Sequence, residues 1–294
     1  MTAPLANHDD AFELEAPAKI NVFLEVIGKR PDGYHELETV MLRTDFVDRL
    51  RFEPNDTPDI VLTCSDPNLP TDDRNLVVKA AKLLQKEIGV ENGCRIRLEK
   101  RIPHGAGLGG GSSDAATAIM GLNRLWKSGL TNAEMAAIGA RVGSDVAFFF
   151  DGPAAVCRGR GEIVTGLSLT GSFNFVLFCP TVHCSTAEIF ARVRRTGDLM
   201  DATPVIKALE SGSSQELAAG LFNRLQEATE SAEPELRVIP AMLRDAEPSL
   251  LGVLMTGSGS AYFGLADSRA AAEAAAARLT RLGHGIVRVL TCGP

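Results

Sequence analysis

The chain has 294 residues, enough for one large domain or two of ordinary size. Its 45% hydrophobic and 23% charged residues are a globular mixture, and a formal charge of −7 argues against a nucleic-acid partner, which normally needs a basic face. Asp9, Asp10, Glu13 and Glu15 precede the first basic residue, Lys19, the reverse of a secretory signal, and no apolar run approaches membrane-spanning length. A cytoplasmic protein with no membrane partner is expected, with residues 1–11 a disordered leader. The six cysteines form no CxxC pair and read as reduced thiols.

In chain order, residues 12–27 (FELEAPAKINVFLEVI) alternate with period two, which predicts a half-buried strand or two strands broken near Pro17. Lys19 and Asn21 then share the polar face, roughly 6.6 Å apart along the strand, and Lys19 by itself reads as an exposed lysine. Pro31-Asp32-Gly33 is a turn signal that ends this element. Apolar spacing predicts a helix over 74–88 that stops at Gly89, and CRIRLEKRI (94–102) predicts a strand. Beyond it, Ala115, Ala116, Ile119, Leu122 and Trp126 recur at helical intervals. Thr131 and Glu134 form a capping box for a helix expected to close at Gly143, ahead of Ser144, Asp145 and the apolar run VAFFF. RGRG (158–161) and TGSGS (256–260) mark turns, residues 268–282 an alanine-rich helix ending at Gly283, and IVRVLTC a closing strand. A composition break at 166–171 predicts two domains, 1–166 and 167–294.

Between the predicted strand and helix lies PHGAGLGGGSSDAA (103–116), with five glycines in the seven residues 105–111. Glycine is costly to order, so such a loop implies that something approaches its backbone closely. A glycine loop between strand and helix presents amides and a helix N-terminus to anions, phosphate above all. It is not a Walker A loop, and GAGLGG matches GxGxxG only in isolation. Ser112 and Ser113 can donate to phosphate or ligate magnesium, while Asp114 reads first as a helix cap. Tyr34 and His35 follow a turn directly, and Asp145 after Ser144 reads as a cap or turn residue.

PHGAGLGGGSSDAA resembles the second motif of the kinase superfamily named for galactokinase, homoserine kinase, mevalonate kinase and phosphomevalonate kinase (GHMP). PAKINVFLEV (17–26) resembles its first motif and MTGSGSAYFG (255–264) its third. RPDGYHELETV (30–40) and VGSDVAFFF (142–150) resemble the branch that phosphorylates the 2-hydroxyl of 4-diphosphocytidyl-2-C-methyl-D-erythritol in non-mevalonate isoprenoid synthesis. The resemblance implies an α+β fold with an N-terminal domain like ribosomal protein S5 domain 2 and a ferredoxin-like C-terminal domain. It implies ATP and Mg2+ as cofactors, a small-molecule substrate, and a monomer or homodimer.

Carried onto this sequence, the resemblance makes Lys19 and Asp145 the catalytic pair, Asp145 as base. It places the nucleotide at Pro103, His104, Gly105, Ala106, Gly107 and Leu108, then Gly109, Gly110, Gly111, Ser112 and Ser113, with Asn75, Leu76 and Lys100 near the adenine. It assigns the acceptor to Asn21, Tyr34, His35 and Phe190, with cytosine held by the last three. CPTVHCSTAEIF departs from the family at Thr181, where glycine is usual. The alternatives are another GHMP kinase, such as homoserine or mevalonate kinase, and a non-catalytic nucleotide- or RNA-binding protein.

Overall fold

A computed structural model describes residues 11–194, 197–246 and 250–294, so the expected leader lies, but for residue 11, outside the described residues. The described chain divides into two compact units. One comprises residues 11–18, 47–102 and 110–150; the other comprises 19–46, 103–109 and the described residues from 151 onward. Two long strands, β1 (Phe12–Lys29) and β2 (His35–Asn55), each contribute residues to both.

In the first unit the far end of β2 pairs antiparallel with β4 (Gly93–Glu99), from Arg49 opposite Glu99 to Asn55 opposite Gly93. β3 (Ile60–Cys64) runs parallel to β4 on its other edge. Two helices, α1 (Leu76–Ile88) and α2 (Gly110–Leu125), pack together. The core joins Leu50, Phe52, Ile96 and Leu98 from the strands to Ala81, Leu84, Ile119 and Leu122 from the helices. The Asn75 side chain caps α1, accepting from the Val77 amide at 2.9 Å, and left-handed Gly89 closes it where the sequence predicts.

The capping box at Thr131 is formed, but α3 (Asn132–Gly139) ends four residues before Gly143. A Cβ on Gly139 would lie 2.7 Å from Val146 and 2.9 Å from Phe150, so the chain turns back early to tuck the 3-10 turn Ala147–Phe150 against the helix. Packing overrides the local stop signal there.

The second unit holds a hairpin, β5 (Ala154–Gly159) and β6 (Ile163–Leu167), with β5 antiparallel to β2 from Leu37 opposite Gly159 to Leu42 opposite Ala154. It also holds an antiparallel sheet in the order β11-β7-β10-β9 (Gly285–Cys292, Phe173–Pro180, Tyr262–Ala266, Gly252–Met255). The two-residue strand β8 (Phe222–Asn223) pairs with β1. Six helices complete the described unit: α4 (Thr186–Arg192), α5 (Thr203–Ser211), α6 (Ser214–Gly220), α7 (Gln226–Ala232), α8 (Ile239–Arg244) and α9 (Arg269–Leu282). Serine caps open α4, α6 and α9, and Gly283 closes α9 as the sequence predicts. Phe178, Tyr262, Leu236 and Leu279 share one core, where Tyr262 is fully buried and donates its hydroxyl to Glu230 at 3.0 Å.

β1 is one unbroken strand through Pro17, which corrects the expectation of a possible break. Its alternation holds only to Pro17; every residue from Ala18 to Val26 is buried. All six cysteines are free thiols, and burial pushes Cys94 and Cys179 up to about 12. Among the described residues no helix is long and apolar enough to cross a membrane.

α2 comes close to β2 because Gly121 has no side chain: a Cβ there would lie 2.3 Å from Cζ of Phe52. Gly121→Val must therefore displace the ring or the helix. A loss of about 1–3 kcal/mol is expected, read as a lower urea midpoint. An unchanged midpoint would show that the contact yields freely.

Candidate active site

Lys19 is 3% exposed, not the exposed strand lysine that alternation predicts. Its ammonium donates to the Asn21 side-chain oxygen at 2.5 Å and to the Gly107 carbonyl at 2.8 Å, and its amide donates to the Leu108 carbonyl at 2.9 Å. Asn21, also 3% exposed, donates through Nδ2 to Thr39 Oγ1 at 2.8 Å and through its amide to Thr256 Oγ1 at 3.0 Å. Gly107 rests on the same threonine, since a Cβ there would come within 2.2 Å of the Thr256 carbonyl oxygen. Segments around 19, 107 and 256 therefore meet within one unit, and a buried ammonium with oxygen acceptors holds them together.

The glycine loop adopts left-handed geometry at alternate positions: φ is +68° at Gly105, +78° at Gly107 and +69° at Gly109. Left-handed residues that alternate with right-handed ones turn successive N–H groups toward one side, the general geometry of an anion nest. The intervening Ala106 and Leu108 are buried, and the Ala106 carbonyl accepts from the Ala261 amide at 3.2 Å. Pro103 and His104 open onto a cavity of about 670 Å3, where His104 stacks on His183 with centroids 5.2 Å apart.

Within the other unit, Gly110, Gly111, Ser112 and Ser113 form the first turn of α2. Gly111 faces Leu76, whose Cδ1 would be 3.6 Å from a Cβ. Asn75 spends its amide group on the Pro70 carbonyl at 2.7 Å and its oxygen on the α1 cap. Lys100 points away from solvent, between Asp48 and Asp114, with Asp114 Oδ2 at 3.0 Å. Asp48 also accepts from the amides of Arg101 and Ile102. Asp114 is thus not the helix cap that the sequence suggests; it lies inside α2 as an ion-pair partner. Burial pushes its carboxyl above the usual range against the pull of Lys100. Asp114 Oδ1, Ser113 Oγ and Thr117 Oγ1 are buried with no hydrogen-bond partner.

Asp145 is half-buried in the turn that enters Ala147–Phe150, and neighbouring Gly143 lies beside Ser112, whose Oγ would be 3.9 Å from a Cβ.

Tyr34, His35 and Phe190 lie in the same unit, but the rings take different partners. His35 stacks on Phe190 with centroids 5.1 Å apart, whereas Tyr34, 54% exposed, carries the guanidinium of Arg160 over its ring at 4.9 Å. Burial, with Lys29 nearby, holds the His35 imidazole below its usual pKa, so it is neutral at pH 7. Sequence reasoning missed Thr39, Thr256 and Asp48 as partners and favoured a turn residue over an anion contact for Arg160. The two threonines do lie inside motif-like segments, whereas nothing local marks Asp48.

Known proteins are similar to this chain in sequence and in fold. Residues 75–158 match the family described as GHMP kinases N terminal domain, and residues 205–285 match GHMP kinases C terminal. A 4-diphosphocytidyl-2-C-methyl-D-erythritol kinase of Pelotomaculum thermopropionicum is 41% identical, over 95% of this chain and 97% of its own. One of the same name from a Geobacter species is also 41% identical, over 92% and 94%. A crystal structure of 4-(cytidine 5'-diphospho)-2C-methyl-D-erythritol kinase superposes with a TM-score of 0.82 at 36% identity, covering 96% of this chain and all of that one. A homoserine kinase of Cytophaga hutchinsonii, at 17% identity and a TM-score of 0.76, shares the fold. Identity at this level along nearly the whole chain, with both GHMP modules matched in order, makes the protein a member of the 4-diphosphocytidyl-2-C-methyl-D-erythritol kinase family of GHMP kinases.

Proposed function

We propose that this ATP-dependent kinase transfers the γ-phosphoryl group to the 2-hydroxyl of 4-diphosphocytidyl-2-C-methyl-D-erythritol, a step of non-mevalonate isoprenoid synthesis. The observation that carries the reading is the junction of Lys19, Asn21, Gly107 and Thr256, which unites all three motif segments around one buried ammonium. The relatives' names supply the acceptor.

The chemistry follows from the side chains. Asp145 accepts the proton of the acceptor hydroxyl as its oxygen forms a bond to the γ-phosphorus; the bond to the bridging oxygen breaks and ADP leaves with that electron pair. Lys19 stabilises charge on the transferring group, held in place by Asn21 and Gly107. Gly105, Gly107 and Gly109 let the loop backbone receive phosphate oxygens. The first turn of α2, Gly110 to Ser113, has helix N-terminal amides suited to the same kind of ligand. Leu76 gives the adenine an apolar contact; Asn75 and Lys100, whose polar groups are engaged within the protein, shape the wall behind it.

The residues fit magnesium. Ser112 and Ser113 are hard oxygen donors at the head of α2, and Ser113 Oγ and Asp114 Oδ1 are buried without partners. The ion would neutralise charge on the ATP phosphates. Tyr34 stacks on cytosine, His35 reads its edge as a neutral imidazole, and Phe190 closes the second side. We place the protein in the cytoplasm as a monomer or homodimer, with a domain break at 166/167.

Coupled ADP release with Mg-ATP tests the reading against the cytidine diphosphate substrate, methylerythritol phosphate, homoserine and mevalonate. Turnover with the first alone is expected; turnover with homoserine or mevalonate instead would overturn the assigned acceptor. Asp145→Asn should lower kcat about a hundredfold or more while leaving the KM for ATP within twofold. Near-normal turnover would remove Asp145 as base. Tyr34→Ala should weaken binding of the cytidine substrate by about 1–3 kcal/mol, seen as a higher KM at nearly constant kcat; an unchanged KM would make the ring a turn residue.

A further inference from the structure

The turn between β5 and β6 reads RGRGE (158–162) and is tightly built. Gly159 and Gly161 are both left-handed, at φ +72° and +120°, and a Cβ on Gly159 would lie 2.8 Å from Glu162 Oε2. That carboxylate accepts from the Arg160 amide at 2.6 Å and pairs with its guanidinium at 3.5 Å. Strand register puts Gly159 opposite Leu37, so the turn reaches the segment that carries Tyr34. There the Arg160 guanidinium covers one face of the Tyr34 ring at 4.9 Å. The backbone that carries the ring is anchored as well, because the Tyr34 amide donates to Asp32 at 3.1 Å and Asp32 pairs with Arg30.

We infer that Arg160 is a positioning residue for substrate specificity: held by Glu162, it fixes the plane of Tyr34 so that the ring's opposite face receives the pyrimidine of a nucleoside diphosphate. A half-exposed tyrosine on a turn otherwise samples several rotamers, and each must be given up when a base stacks on it. A guanidinium on one face removes that cost beforehand. Arginine suits the role because its planar group stacks, where a lysine ammonium only attracts. The inference rests on the proposed stacking of cytosine on Tyr34.

Steady-state kinetics of Arg160→Ala, Arg160→Lys, Tyr34→Ala and the Arg160→Ala/Tyr34→Ala double variant test it, with melting temperatures recorded for each. Arg160→Ala should raise the KM for the cytidine diphosphate substrate about two- to fivefold, with kcat and the KM for ATP unchanged. Arg160→Lys should show most of the same rise. In the Tyr34→Ala background the Arg160 substitution should add nothing. A rise that persists in that background, a wild-type KM for Arg160→Lys, or no effect of Arg160→Ala would each overturn the positioning role. Should Arg160→Ala melt early, Glu162→Gln, which loosens the guanidinium, should still raise that KM, and its failure to do so overturns the role. A Tyr34→Ala enzyme with unchanged KM would instead defeat the stacking reading and the positioning role with it. A normal Tyr34 effect with a silent Arg160 defeats the positioning role alone.

Discussion

An ammonium removed from water must keep its hydrogen bonds, and much of the second unit is arranged around that requirement at Lys19. The Gly107 carbonyl and the Asn21 side chain accept from it. Asn21 is in turn held by Thr39 on β2 and by Thr256, and the Asn223 side chain donates to the Met255 and Gly257 carbonyls at 2.8 Å to fix the loop that carries Thr256. Each residue in this chain of contacts is buried or nearly so, and each orients the next. The glycine at 107 is needed because a side chain there would occupy the space of the Thr256 carbonyl. Lys19 and the glycine loop are thus positioned by one network.

A second buried charge governs the other unit in a different way. Lys100 sits between Asp48 and Asp114, and Asp48 also ties down the backbone after β4 through the Arg101 and Ile102 amides. Because Gly110 has no side chain, α2 can lie against the Lys100 ammonium, which a Cβ would approach to 2.8 Å. The ion pairs fix where the helix starts, and therefore where its amides point. Burial makes Asp114 bind its proton more tightly than an exposed aspartate; Lys100 opposes this, and the neighbouring Asp48 carboxylate adds to it.

The rings of Tyr34, His35 and Phe190 follow a looser logic. Tyr34 is exposed and its ring is held by a cation from a glycine turn, while His35 and Phe190 stack on one another. The three aromatic groups that the sequence groups together do not form one ready-made slot. An exposed ring is open to a partner from solvent, and what orders it has to come from neighbours such as Arg160, whose guanidinium lies over the Tyr34 ring.

Much of this was legible in the residues themselves. Gly89 and Gly283 stop helices, Thr131 and Glu134 start one, and five glycines in seven residues announce a loop that something approaches closely, because these signals act over three or four residues and need no distant partner. Similarity along the chain then supplied the family. What the residues could not supply was the environment of each polar group. Alternation made Lys19 an exposed lysine and local rules made Asp114 a cap, yet Lys19 is enclosed by loops more than eighty positions away and Asp114 by a lysine fourteen positions before it. The early end of α3 and the unbroken run of β1 through Pro17 have the same origin. Sequence by itself determined where the chain turns and which segments resemble the family's motifs; only tertiary structure decided which charges are buried and what they hold, because desolvation and hydrogen-bond satisfaction depend on neighbours that local sequence does not name.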